Sequence, residues 1–270
     1  LTAATSSPRP PLSVAAVPGT ILRPFLHRIR LGEGGLLGMA IWASAWGSRD
    51  AATVIVVALV TSVLLVALYL YNDVVDRDID AYNPKKIAAQ RQALAERPRF
   101  FLLIALATQV AAAAAAWWWL GRAAGLGAAS LLVLNPFYSG IGKRVPGLDV
   151  IVVGAMGAAL VALGTASPSL LLLAGVMTGI SHAFQTSVDR GADLAAGVRS
   201  SGTAPASLRT FIWMALTVAL AAAAYPNFGI AGCASALFPF WVSRRLEDAN
   251  LAWTLSRLYF GVLWLAATVG

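Results

Sequence analysis

Residues 51–80 read AATVIVVALVTSVLLVALYLYNDVVDRDID. Positions 51–71 carry no charge, and as a helix rising 1.5 Å per residue such a stretch is long enough to cross a bilayer core of about 30 Å. Four aspartates then crowd into eight positions: Asp73, Asp76, Asp78 and Asp80. Charges at the end of an apolar span are costly unless something compensates them, so a functional reading is the default. On a helix, Asp73, Asp76 and Asp80 fall at i, i+3 and i+7 and share one face, with Asn72 one turn before Asp76. Asp78 points elsewhere and reads as a solvated or capping residue.

A second cluster, DRGAD at 189–193, closes another apolar run. Asp189 and Asp193 are spaced i, i+4 and again share a face. The two clusters hold six of the twelve acidic residues of the chain. Their placement four spans apart hints at a duplicated helical unit.

Hydrophobic residues make up 59% and charged residues 12% of the 270 positions, a balance that soluble domains do not show and membrane proteins do. We read nine spans, at 24–46, 51–71, 100–120, 123–140, 147–166, 168–187, 207–225, 227–243 and 251–269. The expected fold is therefore all-α, a polytopic bundle of about nine transmembrane helices around a central cavity. Residues 1–22, rich in Pro, Ser and Ala, read as a disordered cytoplasmic tail, and 23–270 as the transmembrane domain. The six-alanine run 111–116 followed by Trp117, Trp118 and Trp119 reads as a tightly packed small-residue face ending in an interfacial aromatic belt. Cys233 stands alone, which excludes an internal disulfide.

Loop charge orients the bundle. With this segmentation every Lys and Arg except Arg49 and Arg122 falls on one side, which the positive-inside rule makes cytoplasmic. The N-terminus and the acidic clusters then face the cytoplasm and the C-terminus the opposite side, as expected in a cell inner membrane. The net charge of +8 follows from that bias. It suits anionic membrane lipid or an anionic substrate and needs no nucleic-acid partner.

Carboxylates crowded on a face cannot all stay ionised without cations. Divalent metal is the natural compensation, and Mg²⁺ the usual one where phosphate oxygens supply the remaining ligands. Lys85, Lys86, Arg91, Lys143, Arg144 and Arg199 lie in neighbouring loops and are candidates for the outer phosphate oxygens. A diphosphate so held is a good leaving group, and its apolar part would lie between helices. His182 sits two turns before Asp189 and is a candidate for positioning an acceptor or taking a proton from it. Gln185 lies one turn before Asp189. Tyr69, Tyr71 and Tyr138 are candidates for lining the cavity and meeting a cation with their π faces.

The string Asn72-Asp73-Val74-Val75-Asp76-Arg77-Asp78-Ile79-Asp80 resembles the NDxxDxxxD motif of the UbiA-type intramembrane prenyltransferases, and Asp189-Arg190-Gly191-Ala192-Asp193 their DxxxD motif. The resemblance implies an all-helical bundle around a cavity and Mg²⁺-dependent binding of a prenyl diphosphate donor. It also implies transfer of the prenyl group to a lipophilic acceptor. Carried over by position, Asn72, Asp73, Asp76, Asp80, Asp189 and Asp193 would serve the metal, with Asp76, Asp80, Asp189 and Asp193 catalytic. The family's YxxxK element is matched by Tyr138 and Lys143 at a spacing one residue longer, which leaves the basic role to Lys143 or Arg144. Asn83-Pro84-Lys85-Lys86 and Ser181-His182-Ala183-Phe184 resemble the lycopene elongase branch. Quinone-ring, chlorophyll or haem prenylation by the same chemistry is an alternative, and a cation-coupled transporter is another from a different class.

Overall fold

A computed structural model describes residues 26, 34–47, 50–80, 82 and 94–269, and among these it contains helices and no strand. The helices are α1 (Gly35–Trp46), α2 (Ala51–Val75), α3 (Arg77–Asp80), α4 (Pro98–Ala115), α5 (Arg122–Gly140), α6 (Leu148–Val161), α7 (Pro168–Val188), α8 (Arg190–Ala195), α9 (Ala206–Ser235), α10 (Leu237–Arg245) and α11 (Ala249–Val269). The tail 1–22 and the opening of the first expected span lie outside the described residues.

Local chemistry explains the main boundaries. Asp50 caps α2, its carboxylate accepting the Thr53 backbone N–H at 2.9 Å and the Thr53 hydroxyl at 2.9 Å, the usual way to satisfy an orphan donor at a helix start. Pro98 and Pro168 open α4 and α7, where a missing N–H costs nothing. The Ala run behaves as read: Ala112, Ala113 and Ala116 are buried, while Trp117, Trp118 and Trp119 are exposed. The backbone widens there into a π-helical turn, Ala116–Leu120, which the periodicity did not signal.

Among the described residues, six stretches are long and apolar enough to cross a membrane, Ala51–Val75, Pro98–Leu120, Arg122–Arg144, Pro168–Val188, Ala206–Arg245 and Ala249–Val269; α1 and α6 are apolar but shorter. The chain is an integral membrane protein. One boundary moves. The break expected at Pro226 is absent, and the helix continues to Gly229, where φ 58 and ψ −144 bend it. Proline removes one backbone bond but tolerates helix on its C-terminal side, whereas positive φ is a glycine conformation that ends helical geometry.

Buried apolar side chains form two large clusters. One joins α2, α4, α5 and α6 through Leu64, Leu68, Ala116, Leu131 and Leu160. The other joins α7, α9 and α11 through Leu173, Met177, Leu220, Phe260 and Trp264. The α6–α7 seam between them is made of small residues. A Cβ on Gly157 would lie 2.3 Å from the Thr178 hydroxyl, and one on Gly154 would lie 2.8 Å from the Gly175 carbonyl oxygen. Lipid removes the hydrophobic drive between helices, so close backbone approach of this kind carries the packing.

Candidate active site

A cavity of about 1160 Å³ opens between α1, α2, α6, α7 and α11. Its apolar part is lined by Leu65, Leu68, Met156, Leu160, Met177 and Trp264, and its polar part by Asn72, Asp76, Asp80, Lys143, Gln185, Asp189 and Asp193. The two acidic clusters, over a hundred positions apart in sequence, thus line one cavity.

Each cluster is built by the same local device. Helix α2 ends at Asp76 with φ −88 and ψ 5, its N–H bonded to the Asn72 carbonyl. Helix α7 ends at Asp189 with φ −86 and ψ 0, its N–H bonded to the Gln185 carbonyl. This bridge region of backbone space is sparsely populated and recurs at active sites. A short helix follows each hinge, and one turn on it carries the next acid: Asp80 N–H bonds Asp76 O at 2.8 Å, and Asp193 N–H bonds Asp189 O at 2.9 Å. Asn72, Asp76 and Asp80 therefore correspond in place to Gln185, Asp189 and Asp193. The two clusters thus share one local geometry.

Asp73 is buried but lies outside the residues that line the cavity, whereas Asn72 lines it. Asp78 is solvated, with 89% of its side chain exposed and the Arg77 guanidinium 3.7 Å away.

Helix α5 ties the first cluster down with two rungs. Ser139 donates to Asn72 Oδ1 at 2.8 Å, and one turn later Lys143 Nζ donates to Asp76 Oδ2 at 2.8 Å. Lys143 is reached because α5 ends at Gly140 and the chain tightens into a 3₁₀ turn, Gly142–Arg144. The extra residue of the Tyr138–Lys143 spacing is absorbed at this helix end. Arg144 and Arg199 are exposed and do not line the cavity. Lys85, Lys86 and Arg91 lie outside the described residues. Tyr138 OH lies 3.4 Å from His182 Nε2, with the rings edge to face at 5.7 Å. Both line the cavity, as does Tyr69, while Tyr71 does not.

Asp193 is buried, and burial pushes its carboxyl above the ordinary carboxylate range; the hydrogen bond from Ser200 and the charge of Lys143 act in the opposite direction. A cation delivered to the cluster would favour the ionised form further. Sequence reasoning missed Ser139, Asp149, Ser200 and Ser201. Asp149 carried a usable signal, since an acid at the start of an apolar span is the same anomaly as the clusters. The serines carried none.

Fold and site together define an integral membrane helical bundle with one cavity whose lining is apolar in part and elsewhere carries both acidic clusters and Lys143. The model of the UbiA prenyltransferase family matches residues 35–265. The chain belongs to that family. Among solved structures it is similar to a UbiA homologue from Archaeoglobus fulgidus bound to DMAPP and Mg²⁺, at 14% identity and a TM-score of 0.64, over 93% of this chain and 98% of that one. The same homologue bound to GPP and Mg²⁺ gives 14% identity and a TM-score of 0.60, over 93% and 99%. A digeranylgeranylglyceryl phosphate synthase gives 14% identity and 0.54, over 92% and 98%. At this identity the likeness shows the fold. No curated protein matches the chain in sequence.

Proposed function

We propose that this chain is an Mg²⁺-dependent intramembrane prenyltransferase, moving an isoprenyl group from an allylic prenyl diphosphate to a lipophilic acceptor. The observation that carries this reading is that both acidic clusters and Lys143 line one cavity that also has a long apolar lining. Family membership and the donors named for the A. fulgidus homologue support it.

The donor set fits Mg²⁺. Asn72, Asp76, Asp80, Asp189 and Asp193 offer only oxygen or amide groups, which a hard cation accepts. Among the described residues no three His, Cys, Asp or Glu side chains converge to hold a single ion. That suits a metal that keeps several positions for water and phosphate oxygens. When bound, the metal neutralises the diphosphate and makes it a better leaving group.

The chain's own residues supply the rest. Lys143, held by Asp76, places an ammonium where diphosphate oxygens arrive. The lining leucines and methionines take the prenyl tail and exclude water. The allylic carbon–oxygen bond breaks with its electron pair on the diphosphate, and an electron-rich carbon of the acceptor bonds to the allylic carbon. The proton that the acceptor loses goes to a base. His182, buried beside Tyr138 on the cavity wall, is placed for that role. Of the residues proposed for metal, Asp73 stands behind the others. A polyene acceptor, as for lycopene elongases, is the finer reading and rests on the flanks of the two motifs.

The charge bias of the loops supports a cytoplasmic position for the acidic clusters. Arg209, in the first turn of α9, is near enough to Arg190 of α8 and to Arg244 near the end of α10 to feel their charges, as helix ends on one side of a membrane would. Transporters bury their acids near the bilayer midplane in broken helices; here the acids sit at helix ends.

The test is transfer by purified protein from a radiolabelled allylic diphosphate to lipid extract. Label is expected to move only with Mg²⁺ present and to stop on chelation. Transfer undiminished by chelation would overturn the metal assignment, and cation flux without transfer would favour the transporter.

Lysine position separates cavity from loop. Lys143→Ala is expected to raise the KM for the donor about ten-fold, the loss of one charge-assisted contact. Arg144→Ala and Arg199→Ala are expected to change it less than about two-fold, within the small effects of exposed charges. Equal effects at all three positions would remove Lys143 from the site.

A further inference from the structure

Outside the two motifs, one buried acid is fully engaged. Asp149 lies under the first turn of α6, where Oδ1 accepts the backbone N–H of Gly147 at 3.0 Å and of Val150 at 2.9 Å. Oδ2 accepts the backbone N–H of Ser201 at 2.7 Å, and the Ser201 hydroxyl donates to Oδ1. That hydroxyl in turn accepts the Gly147 N–H at 2.8 Å. The bonds close a ring between the start of α6 and a loop more than fifty positions later.

We infer that Asp149 is a positioning residue: through Ser201 and its neighbour Ser200 it fixes where the Asp193 carboxylate stands on the cavity wall. Ser200 donates to Asp193 Oδ2 at 2.6 Å. Val198 N–H bonds the Asp193 carbonyl at 2.8 Å, and the Thr203 hydroxyl closes the turn on Val198 O and Ser200 O. The loop also lies directly on the last turn of α7, since a Cβ on Gly202 would fall 2.0 Å from the Thr186 carbonyl oxygen. Asp193 needs such support. Helix α8 has six residues, too few to be stable alone, and it hangs from the hinge at Asp189. A carboxylate is required at 149 because both oxygens must accept; asparagine would turn one of them into a donor facing donors.

This inference rests on the reading that Asp193 serves the metal-bound diphosphate. The experiment compares wild type, Asp149→Asn and Ser200→Ala in detergent with two measurements: hydrogen exchange of amides 198–203 in Mg²⁺-free protein, and the Mg²⁺ concentration giving half-maximal transfer. For Asp149→Asn, exchange of the loop should rise at least about ten-fold. Its Mg²⁺ requirement should also rise about ten-fold, the usual effect of losing a group that orients a metal ligand, with the rate recovered at saturating Mg²⁺. Ser200→Ala should leave loop exchange as in wild type and still raise the Mg²⁺ requirement. The inference is overturned by an Asp149→Asn protein that matches wild type in either measurement, or by a rate loss that Mg²⁺ does not restore. It is equally overturned by an unshifted Mg²⁺ requirement in Ser200→Ala. If Asp149→Asn does not fold, Ser201→Ala takes its place with the same expectations. A wild type without Mg²⁺-dependent transfer sinks the proposed function instead, while the exchange comparison still decides whether Asp149 holds the loop.

Discussion

Replacing Asp76 or Asp189 by alanine is expected to lower prenyl transfer about 10²–10³-fold, the scale on which a single electrostatic contact to a developing charge is felt. The two positions are chosen because each is the hinge of its cluster, with nearly identical backbone angles. Each is also one turn from the next acid, so alanine removes the central member of either set without shortening a helix. Asp78→Ala supplies the contrast. It belongs to the same acidic run but is solvated, and its replacement should leave the rate within about two-fold of wild type, as exposed charges usually do. Rates would be measured at saturating Mg²⁺, with helical content checked by circular dichroism. Full transfer by both hinge variants would remove the aspartate clusters from the chemistry.

The second large effect concerns packing. Gly157→Val puts a branched side chain where a single Cβ already lies 2.3 Å from the Thr178 hydroxyl and 2.5 Å from Thr178 Cβ. Thr178 itself is tethered to the Ala174 carbonyl at 2.7 Å, so it has little room to give. Overpacking a close contact costs about 1–3 kcal/mol or more, which for a chain of this size corresponds to a fall in Tm of roughly 5–10 °C. The seam it opens carries Asp149 on one side and His182 on the other, so donor KM should rise as well. Gly261→Val serves as a control for Tm alone, because a Cβ there meets nothing within 4 Å while Gly261 itself lines the cavity. Equal Tm values for the two variants would show that the seam is softer than its distances imply.

What could be read from sequence divides along a physical line. Spans and acid spacing are local and periodic, and so the sequence could group Asn72, Asp76, Asp80, Asp189 and Asp193, which do line one cavity, and set aside the solvated Asp78. Features set by the end of a helix were not legible. Lys143 and Arg144 are neighbours in sequence, and only the 3₁₀ turn after α5 decides which of them enters the cavity. Asp73 shares a helix face with Asp76 by spacing but is buried away from the cavity that Asn72 and Asp76 line, which depends on how α2 is rotated against its neighbours. The bend in α9 belongs to Gly229 and not to Pro226, because a single positive φ outweighs a lost hydrogen bond. Contacts distant in sequence left no trace at all: nothing in the string around Ser200 announces that it holds Asp193, or that Asp149 holds its neighbour.

The small-residue seam between α6 and α7 has a mechanical meaning. Helices whose backbones touch cannot slide without a clash, so the wall carrying Asp149, Met156, Met177 and His182 is stiff. Across the cavity, Gly35 and Gly38 of α1 face open space, with no atom within 4 Å of where a Cβ would stand. Helix α1 has only 12 residues, and the Trp42 indole N–H reaches the Thr268 hydroxyl of α11 at 2.8 Å. Reacting groups on α6 and α7 thus keep a fixed spacing, and the free volume that could take a bulkier ligand lies beside α1, against Gly35 and Gly38.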